Sequence, residues 1–402
     1  MLTRLIIENV LDSQKERLDQ LNTGLKREVK EFAALKKHAL IVTGIRRCGK
    51  STLMRQINKS FDEKTLYVNF EDPRLGGFDT SDFNHIHQIS VNRGIETCFF
   101  DEIQNIKKWE NYIRFALDEG YRIFITGSNA TMLSRELGTK LTGRHITREL
   151  FPFSYNEYLA FTDEKKGPES LGQYIRKGGF PEMLKTNIPE VLMNIFTDIV
   201  IRDIAVRHGI RNISILQNLA VWLISNISKP VTGNSIKKLF DIGSSSSVME
   251  YLSFFTDAYL FFFVPLFSYS QKVRMVNAKK VYAVDTGLTI VNSLSFSSDD
   301  GRLLENLVYL HLRRQYTYIY YYKGKKECDF VVFEKGKPKM LLQVSLQVDQ
   351  DNLDREIAGL TEAMEFFKLN RGTIITFDQS DNLTAGNHTI TLVPFYLWAT
   401  EL

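Results

Sequence analysis

An apolar run, Ala39–Thr43, leads directly into Gly44-Ile45-Arg46-Arg47-Cys48-Gly49-Lys50-Ser51, and an amphipathic helical pattern follows at Lys50–Lys59. The G-x-x-x-x-G-K-[ST] spacing, set between a strand and a helix, constrains this chain more than any other feature. Glycines there let successive backbone N–H groups wrap a phosphate chain, and the helix N-terminus adds partial positive charge. Lys50 is spaced to reach the β- and γ-phosphates, and Ser51 to offer a hydroxyl to Mg²⁺. The predicted ATP-binding set is therefore Gly44, Ile45, Arg46, Arg47, Cys48, Gly49, Lys50, Ser51 and Thr52, with ATP and Mg²⁺ as the expected cofactors.

The surrounding pattern agrees. Apolar runs at Ala39–Thr43, Thr65–Phe70, Thr97–Phe100 and Arg122–Thr126 alternate with helical stretches such as Trp109–Asp118. Such alternation predicts a parallel sheet covered on both faces, with ligands outside the carboxyl ends of its strands. Three of those ends carry candidate chemistry. Thr97–Phe100 delivers Asp101-Glu102, with Asp101 expected to hold Mg²⁺ and Glu102 to orient the attacking water. Arg122–Thr126 delivers Gly127-Ser128-Asn129, where Ser128 and Asn129 are both candidates to contact the γ-phosphate; Asn129 joins Glu102 and Lys50 in the predicted catalytic set. Asn69 and Glu71, at the tip of the Thr65–Phe70 run, are weaker candidates to modulate Glu102. An arginine is expected to stabilise developing charge. Arg144, Arg202 and Arg207 are available, and Arg144 is preferred.

Ahead of the first strand, Leu18, Leu21, Leu25, Val29 and Phe32 recur at helical spacing, so residues 1–36 read as a helical lead-in. The predicted core is 37–150, followed by a helical lid at 151–210. Over 211–285 three helices, Ile215–Ser225, Asn234–Phe240 and Ser246–Asp257, precede two β-like runs, the order of a winged helix-turn-helix. Residues 300–402 read as a mixed α/β unit.

Composition removes whole classes. Hydrophobic residues make up 44% and charged residues 24%, which excludes a disordered or collagen-like chain. Cys48, Cys98 and Cys328 are far apart and form no C-x-x-C pair, so they read as reduced thiols. The most apolar stretch, Tyr259–Phe267, is far short of the roughly 20 residues needed to span a bilayer. A cytoplasmic protein with no membrane partner is expected. A net charge of +4 permits nucleic-acid contact without arguing for it. The presumed recognition helix, Ser246–Asp257, carries Glu250 and Asp257 but no Lys or Arg, which disfavours the major groove. Phosphate contact would fall instead to Lys237, Lys238, Lys272, Arg274, Lys279 and Lys280.

The phosphate loop, Phe99-Phe100-Asp101-Glu102-Ile103-Gln104, Ile125-Thr126-Gly127-Ser128-Asn129, and Thr142-Gly143-Arg144-His145 followed by Phe151-Pro152-Phe153-Ser154-Tyr155 together resemble the prokaryotic AAA+-type ATPases with a C-terminal domain of unknown function. The second half of the resemblance is carried by Val284-Asp285-Thr286-Gly287-Leu288, Gly301-Arg302-Leu303-Leu304-Glu305-Asn306 and Glu327-Cys328-Asp329-Phe330. It implies an ATPase core, a helical lid, a winged helix and a fold similar to the PD-(D/E)XK nucleases. Nuclease chemistry of that type needs one strand's carboxylate and an acid-x-lysine on the next. Asp329 fits the first element and Glu305 on the preceding helix adds a carboxylate, but Gln343 stands for the acid and Ser345 for the lysine. A degenerate site without cleavage activity is expected. The expected function is a Mg-dependent ATPase acting as a nucleotide-controlled switch whose C-terminal domains read out its state, with a protein partner or a homo-oligomer as the expected association. An ATP-regulated DNA-binding or DNA-processing protein and a nucleotide-dependent scaffold are the alternatives.

Overall fold

The strand–helix alternation builds a five-stranded parallel sheet in the order β2-β3-β4-β1-β5. Its strands are β1 Ala39–Thr43, β2 Thr65–Asn69, β3 Thr97–Asp101, β4 Arg122–Gly127 and β5 His145–Glu149. In this computed structural model residues 2–29, 37–61, 64–128, 143–294 and 299–401 are described, and the chain divides into two compact units, Met1–Leu150 and Phe151–Leu402. β1 and β3 are buried along their whole length, which is why they read as unbroken apolar runs. Among the described residues four α-helices accompany the sheet: α1 Arg4–Gln20, α2 Lys50–Asn58, α3 Phe83–Arg93 and α4 Trp109–Asp118. Ile7 and Val10 of α1, Ile86 of α3 and Trp109 and Ile113 of α4 share one core with Ile41, Val68 and Phe100 of the sheet. Phe99 and Phe124 stack at 4.7 Å between ring centres, with Phe61 set edge-on to both.

The N-terminal helix is shorter than its periodicity predicts. It stops at Gln20, Leu21 is extended, and Asn22 Oδ1 accepts a hydrogen bond from the Gly24 N–H at 3.0 Å. Gly24 sits at φ +65°, so a side-chain-stabilised turn outcompetes helix propagation at Asn22-Thr23-Gly24. The chain then runs along α2, where Gln56 Nε2 donates to the carbonyls of Thr23 (2.7 Å) and Leu25 (2.6 Å).

In the second unit, residues 151–210 are helical: Tyr155–Thr162, Pro168–Lys177, Pro181–Thr186 and Glu190–Asp198, the last running into a π-helical stretch at Ile199–Val206. Helices Ile213–Ile224, Gly233–Leu239 and Ser245–Asp257 come next. A three-stranded antiparallel sheet accompanies them in the order β6-β8-β7, with β6 Pro230–Val231, β7 Phe261–Pro265 and β8 Lys279–Ala283. The helix Asp300–Gln315 then precedes a six-stranded sheet ordered β13-β14-β12-β11-β10-β9. β9 Tyr318–Lys323, β10 Glu327–Glu334 and β11 Lys337–Val344 form an antiparallel meander. The helix Leu353–Phe367 crosses to β12 Arg371–Thr376, parallel to β11, and β13 Asp381–Ala385 and β14 His388–Pro394 close the edge.

Two glycine-containing motifs of the second unit meet. Asp285 caps the helix Thr286–Asn292 by accepting from the Leu288 N–H at 2.8 Å, and its other oxygen accepts from the Gly179 N–H at 2.6 Å. Burial pushes this carboxyl up to about 6 against the pull of those N–H groups. A Cβ on Gly287 would lie 2.2 Å from the Lys177 carbonyl oxygen. The Asp-Thr-Gly motif is thus a backbone clamp. Gly287→Ala is expected to destabilise the second unit by about 1–3 kcal/mol, read as a lowered midpoint in urea denaturation.

Candidate nucleotide site

The phosphate loop owes its shape to two glycines. Gly44 adopts φ +154°, and a Cβ there would lie 2.1 Å from the Leu150 carbonyl oxygen; Gly49 caps α2 at φ +103°. Cys48 is buried, its thiol reaches the Leu150 carbonyl at 3.3 Å, and burial pushes its pKa up, which makes it a packing group rather than a thiolate. Lys50 is buried. Its ammonium donates to the Gly44 and Ile45 carbonyls at 3.1 Å each and lies 3.7 Å from Glu102 Oε1.

Asp101 is the centre of the strand tips. It is fully buried and accepts hydrogen bonds from three hydroxyls: Tyr67 of β2, Thr126 of β4 and Ser51 of α2. Burial and the Glu102 charge both raise its carboxyl, and those three bonds oppose them. Glu102 follows in the left-handed region at φ +53°, with its N–H held by Thr126 Oγ1 at 3.0 Å and its carboxylate bonded by Gln104 Nε2. The turn aims Glu102 at Lys50 instead of continuing β3. A hydroxyl and a carboxylate already in hydrogen-bond contact are the hard oxygen donors Mg²⁺ takes alongside phosphate. Ser51 and Asp101 therefore fit a divalent cation, Lys50 fits a phosphate, and Glu102 fits the position of a water-orienting base.

The other predicted residues divide. Asn69 pairs in register with Asp101, and Glu71, raised by burial and by the Glu102 charge, lies 3.9 Å from Arg46, so both are close to the site. Thr52 accepts from Arg55 at 3.1 Å on the first turn of α2. Asn129 lies outside the described residues. Arg144 requires correction. It immediately precedes β5, whose first residue pairs with Ala39, the first residue of β1, so it occupies the amino edge of the sheet and binds Asp118 at 2.5 Å. The phosphate loop leaves the opposite end of β1, about 13 Å away at strand rise. Arg202 and Arg207 pair with Asp198 and Asp203 one helical turn away. Thr126, Tyr67 and Gln104 were not foreseen. The parallel register that sets Phe100 beside Ile125 also puts Thr126, rather than Ser128, level with Asp101.

The second predicted cluster assembles around an unforeseen cation. Lys280 of β8 is 2% exposed, and its ammonium lies 2.8 Å from Asp329, 2.9 Å from Glu327 and 3.1 Å from Glu305. Burial alone would lower this ammonium; the Asp329, Glu305 and Glu327 carboxylates outweigh it and hold the pKa well above its usual value. Glu305 is pushed up to about 7 by burial and by Asp329, although Lys280 and the Tyr282 hydroxyl bond it. Gln343 joins in through its amide, accepting from the Asp329 N–H at 3.2 Å and donating to Glu356 at 2.8 Å. Ser345 turns away to the Gln347 carbonyl at 2.8 Å. Lys280 thus stands among the acids and cannot meet a phosphate backbone, which corrects its assignment to a basic wing. Half-buried Lys279 is lowered by burial. Lys280→Met leaves Asp329, Glu305 and the partly exposed Glu327 without their cation and is expected to cost about 3–5 kcal/mol at pH 8. Glu305, already raised by burial and by Asp329, then loses the ammonium that opposes those effects, so the stability lost is greatest as pH rises through its folded-state value and is regained on moving to pH 5. Thermal unfolding at the two pH values checks the sign.

Among the described residues no helix is long and apolar enough to cross a membrane. Residues 36–159 match the family described as AAA domain, 168–299 match Domain of unknown function (DUF8612), and 300–398 match Domain of unknown function (DUF4143). An uncharacterised protein of Methanocaldococcus jannaschii is 35% identical over 391 residues, covering 89% of this chain and 87% of its own length. An uncharacterised protein of Haemophilus influenzae is 28% identical over 77% of this chain and 83% of its own. A solved structure of C. elegans PCH-2 aligns with 61% of this chain and 67% of that one, at 16% identity and a TM-score of 0.24.

Proposed function

The chain belongs to the family of the 35% identical M. jannaschii protein and carries an AAA domain, and from that premise we propose that it is a Mg-dependent ATPase working as a nucleotide-controlled switch. The observation that carries this reading is the convergence of Lys50, Ser51, Asp101 and Glu102 at the carboxyl ends of β1 and β3. Ser51 and Asp101 would hold Mg²⁺, which would supply neutralisation of the phosphate charge. Lys50 exchanges the Gly44 and Ile45 carbonyls for phosphate oxygens. Glu102 orients a water in line with the γ-phosphorus and takes its proton as the bond to the β-phosphate oxygen breaks. Thr126 fixes the Asp101 carboxylate and the Glu102 backbone together, so a change at one carboxylate is felt at the other.

The second unit supports the readout half of the proposal. Helices from Ile213 to Asp257 followed by β7 and β8 are the order of a winged helix, and Asp300–Gln315 with β9 to β12 is the arrangement expected of a nuclease-like domain. Lys280 amid the acids argues that this domain does not cleave. A Ser245–Asp257 helix without Lys or Arg, and a buried Lys280, favour a protein partner over DNA.

Lys50→Ala is expected to abolish ATP binding, and Glu102→Gln to keep binding while reducing turnover at least about a hundredfold. Thr126→Val should lower turnover about tenfold or more, because it frees Glu102 while leaving the loop intact. Affinity for a fluorescent ATP analogue measures binding, and phosphate release by the purified protein with Mg²⁺, with and without duplex DNA, measures turnover. Normal hydrolysis by Glu102→Gln overturns the assignment, and turnover stimulated by DNA replaces the protein-partner reading.

A further inference from the structure

Arg27 lies far upstream of the phosphate loop in sequence yet is built into it. It belongs to the irregular segment after α1, its side chain is only 7% exposed, and its Nη1 donates to the Cys48 carbonyl at 2.7 Å. The same Nη1 lies 3.2 Å from where a Cβ on Gly49 would stand. Its segment is fixed to α2 independently, through Gln56 to the Thr23 and Leu25 carbonyls. The guanidinium therefore arrives from an anchored backbone.

The Cys48–Gly49 peptide is trans, like all described peptides. Its carbonyl and the Gly49 N–H thus point in opposite directions from one rigid plane. A donor pinning the Cys48 carbonyl on one side fixes the heading of the Gly49 N–H on the other. The next carbonyl, Gly49, is held by the Leu53 N–H at 2.9 Å as the first bond of α2. In a loop whose work is to present N–H groups to phosphate oxygens, the orientation of each peptide plane is the property that matters. The guanidinium also adds a full positive charge close behind the loop, where few solvent dipoles screen it.

We infer that Arg27 is a positioning residue for nucleotide binding: by holding the Cys48 carbonyl it locks the Gly49 N–H toward the phosphates. This rests on the reading of residues 44–51 as a nucleotide site. Arg27 touches the loop rather than the ligand, so it acts on affinity more than on the chemical step. Its class of ligand is a nucleoside di- or triphosphate, and its effect is the same for ADP as for ATP.

The test compares Arg27→Met, which keeps the buried stem and removes the donor, with Arg27→Lys, which restores a charged donor. Affinity for a fluorescent ATP analogue and for ADP, steady-state KM and kcat, and thermal unfolding without nucleotide are measured for each. Arg27→Met is expected to weaken both nucleotides and raise KM about tenfold or more, with kcat within about twofold. Arg27→Lys should recover part of that loss, with an unfolding midpoint no higher than that of Arg27→Met. Wild-type affinity in Arg27→Met overturns the proposal. So does Arg27→Lys binding no better than Arg27→Met, because the side chain would then act through packing alone. Lys50→Ala, measured in parallel, separates the two readings. If it keeps wild-type ATP affinity the nucleotide site itself is wrong; if it loses ATP while Arg27→Met does not, only Arg27 is misassigned.

Discussion

A fully buried carboxylate is costly, and Asp101 is retained because three hydroxyls converge on it. Tyr67 comes from β2, Thr126 from β4 and Ser51 from α2, so the acid ties two neighbouring strands and the loop helix to the tip of β3. The sheet order makes this geometry available: β3 lies between β2 and β4, and each neighbour offers a hydroxyl level with or near its last buried residue. Glu102 inherits its position from the same knot. Its left-handed turn is closed by the hydroxyl of Thr126 that also bonds Asp101.

The two lysines at the two acidic clusters show how the same residue types diverge. Lys50 lies 3.7 Å from Glu102 and donates to two backbone carbonyls, and an incoming phosphate can outbid those carbonyls, since phosphate offers full charge where a carbonyl offers a dipole. Lys280 faces three carboxylates at about hydrogen-bond distance, and no single anion matches that field. One ammonium is therefore exchangeable and the other is structural. Glu305, raised by its burial first and by the neighbouring Asp329 second despite bonds from Lys280 and Tyr282, marks the cost that the structural lysine contains.

What the sequence disclosed follows this division between local and distant causes. Four strands of the first sheet (β1 to β4), α2, and the convergence of Lys50, Ser51, Asp101 and Glu102 were legible because each depends on a short contiguous pattern: an apolar run, a glycine spacing, a carboxylate at a strand tip. β5 was missed, since His145–Glu149 is only partly buried and has no unbroken apolar run. Arg144 was misplaced for a related reason. The Gly-Arg-His sequence gave no sign that β5 runs parallel to β1, which sends the residue before it to the amino edge. Thr126 was overlooked because register, rather than spacing along the chain, sets it beside Asp101. Lys280 looked like a wing residue because a charged side chain in a hairpin usually meets water, and the acids that bury it arrive only from Glu305, Glu327 and Asp329 further along the chain.

The phosphate loop itself is framed by residues that its motif does not contain. On one side the Leu150 carbonyl, just past β5, takes the Cys48 thiol and occupies the space that makes a side chain at Gly44 impossible. On the other side Arg27 takes the Cys48 carbonyl. Cys48 is thus held at both its side chain and its backbone, by segments that precede and follow the sheet in sequence. A motif of this kind specifies which groups can meet a phosphate, while the curvature that makes them meet it together is imposed from outside. The price of that curvature, two strained glycines and a buried thiol, is offset by contacts closing from both ends of the first unit, so the loop and the unit's outer segments form one cooperative structure. Binding at the loop then bears on β5 and on the segment after α1 alike, and those are the elements from which a nucleotide-dependent change in the first unit would start.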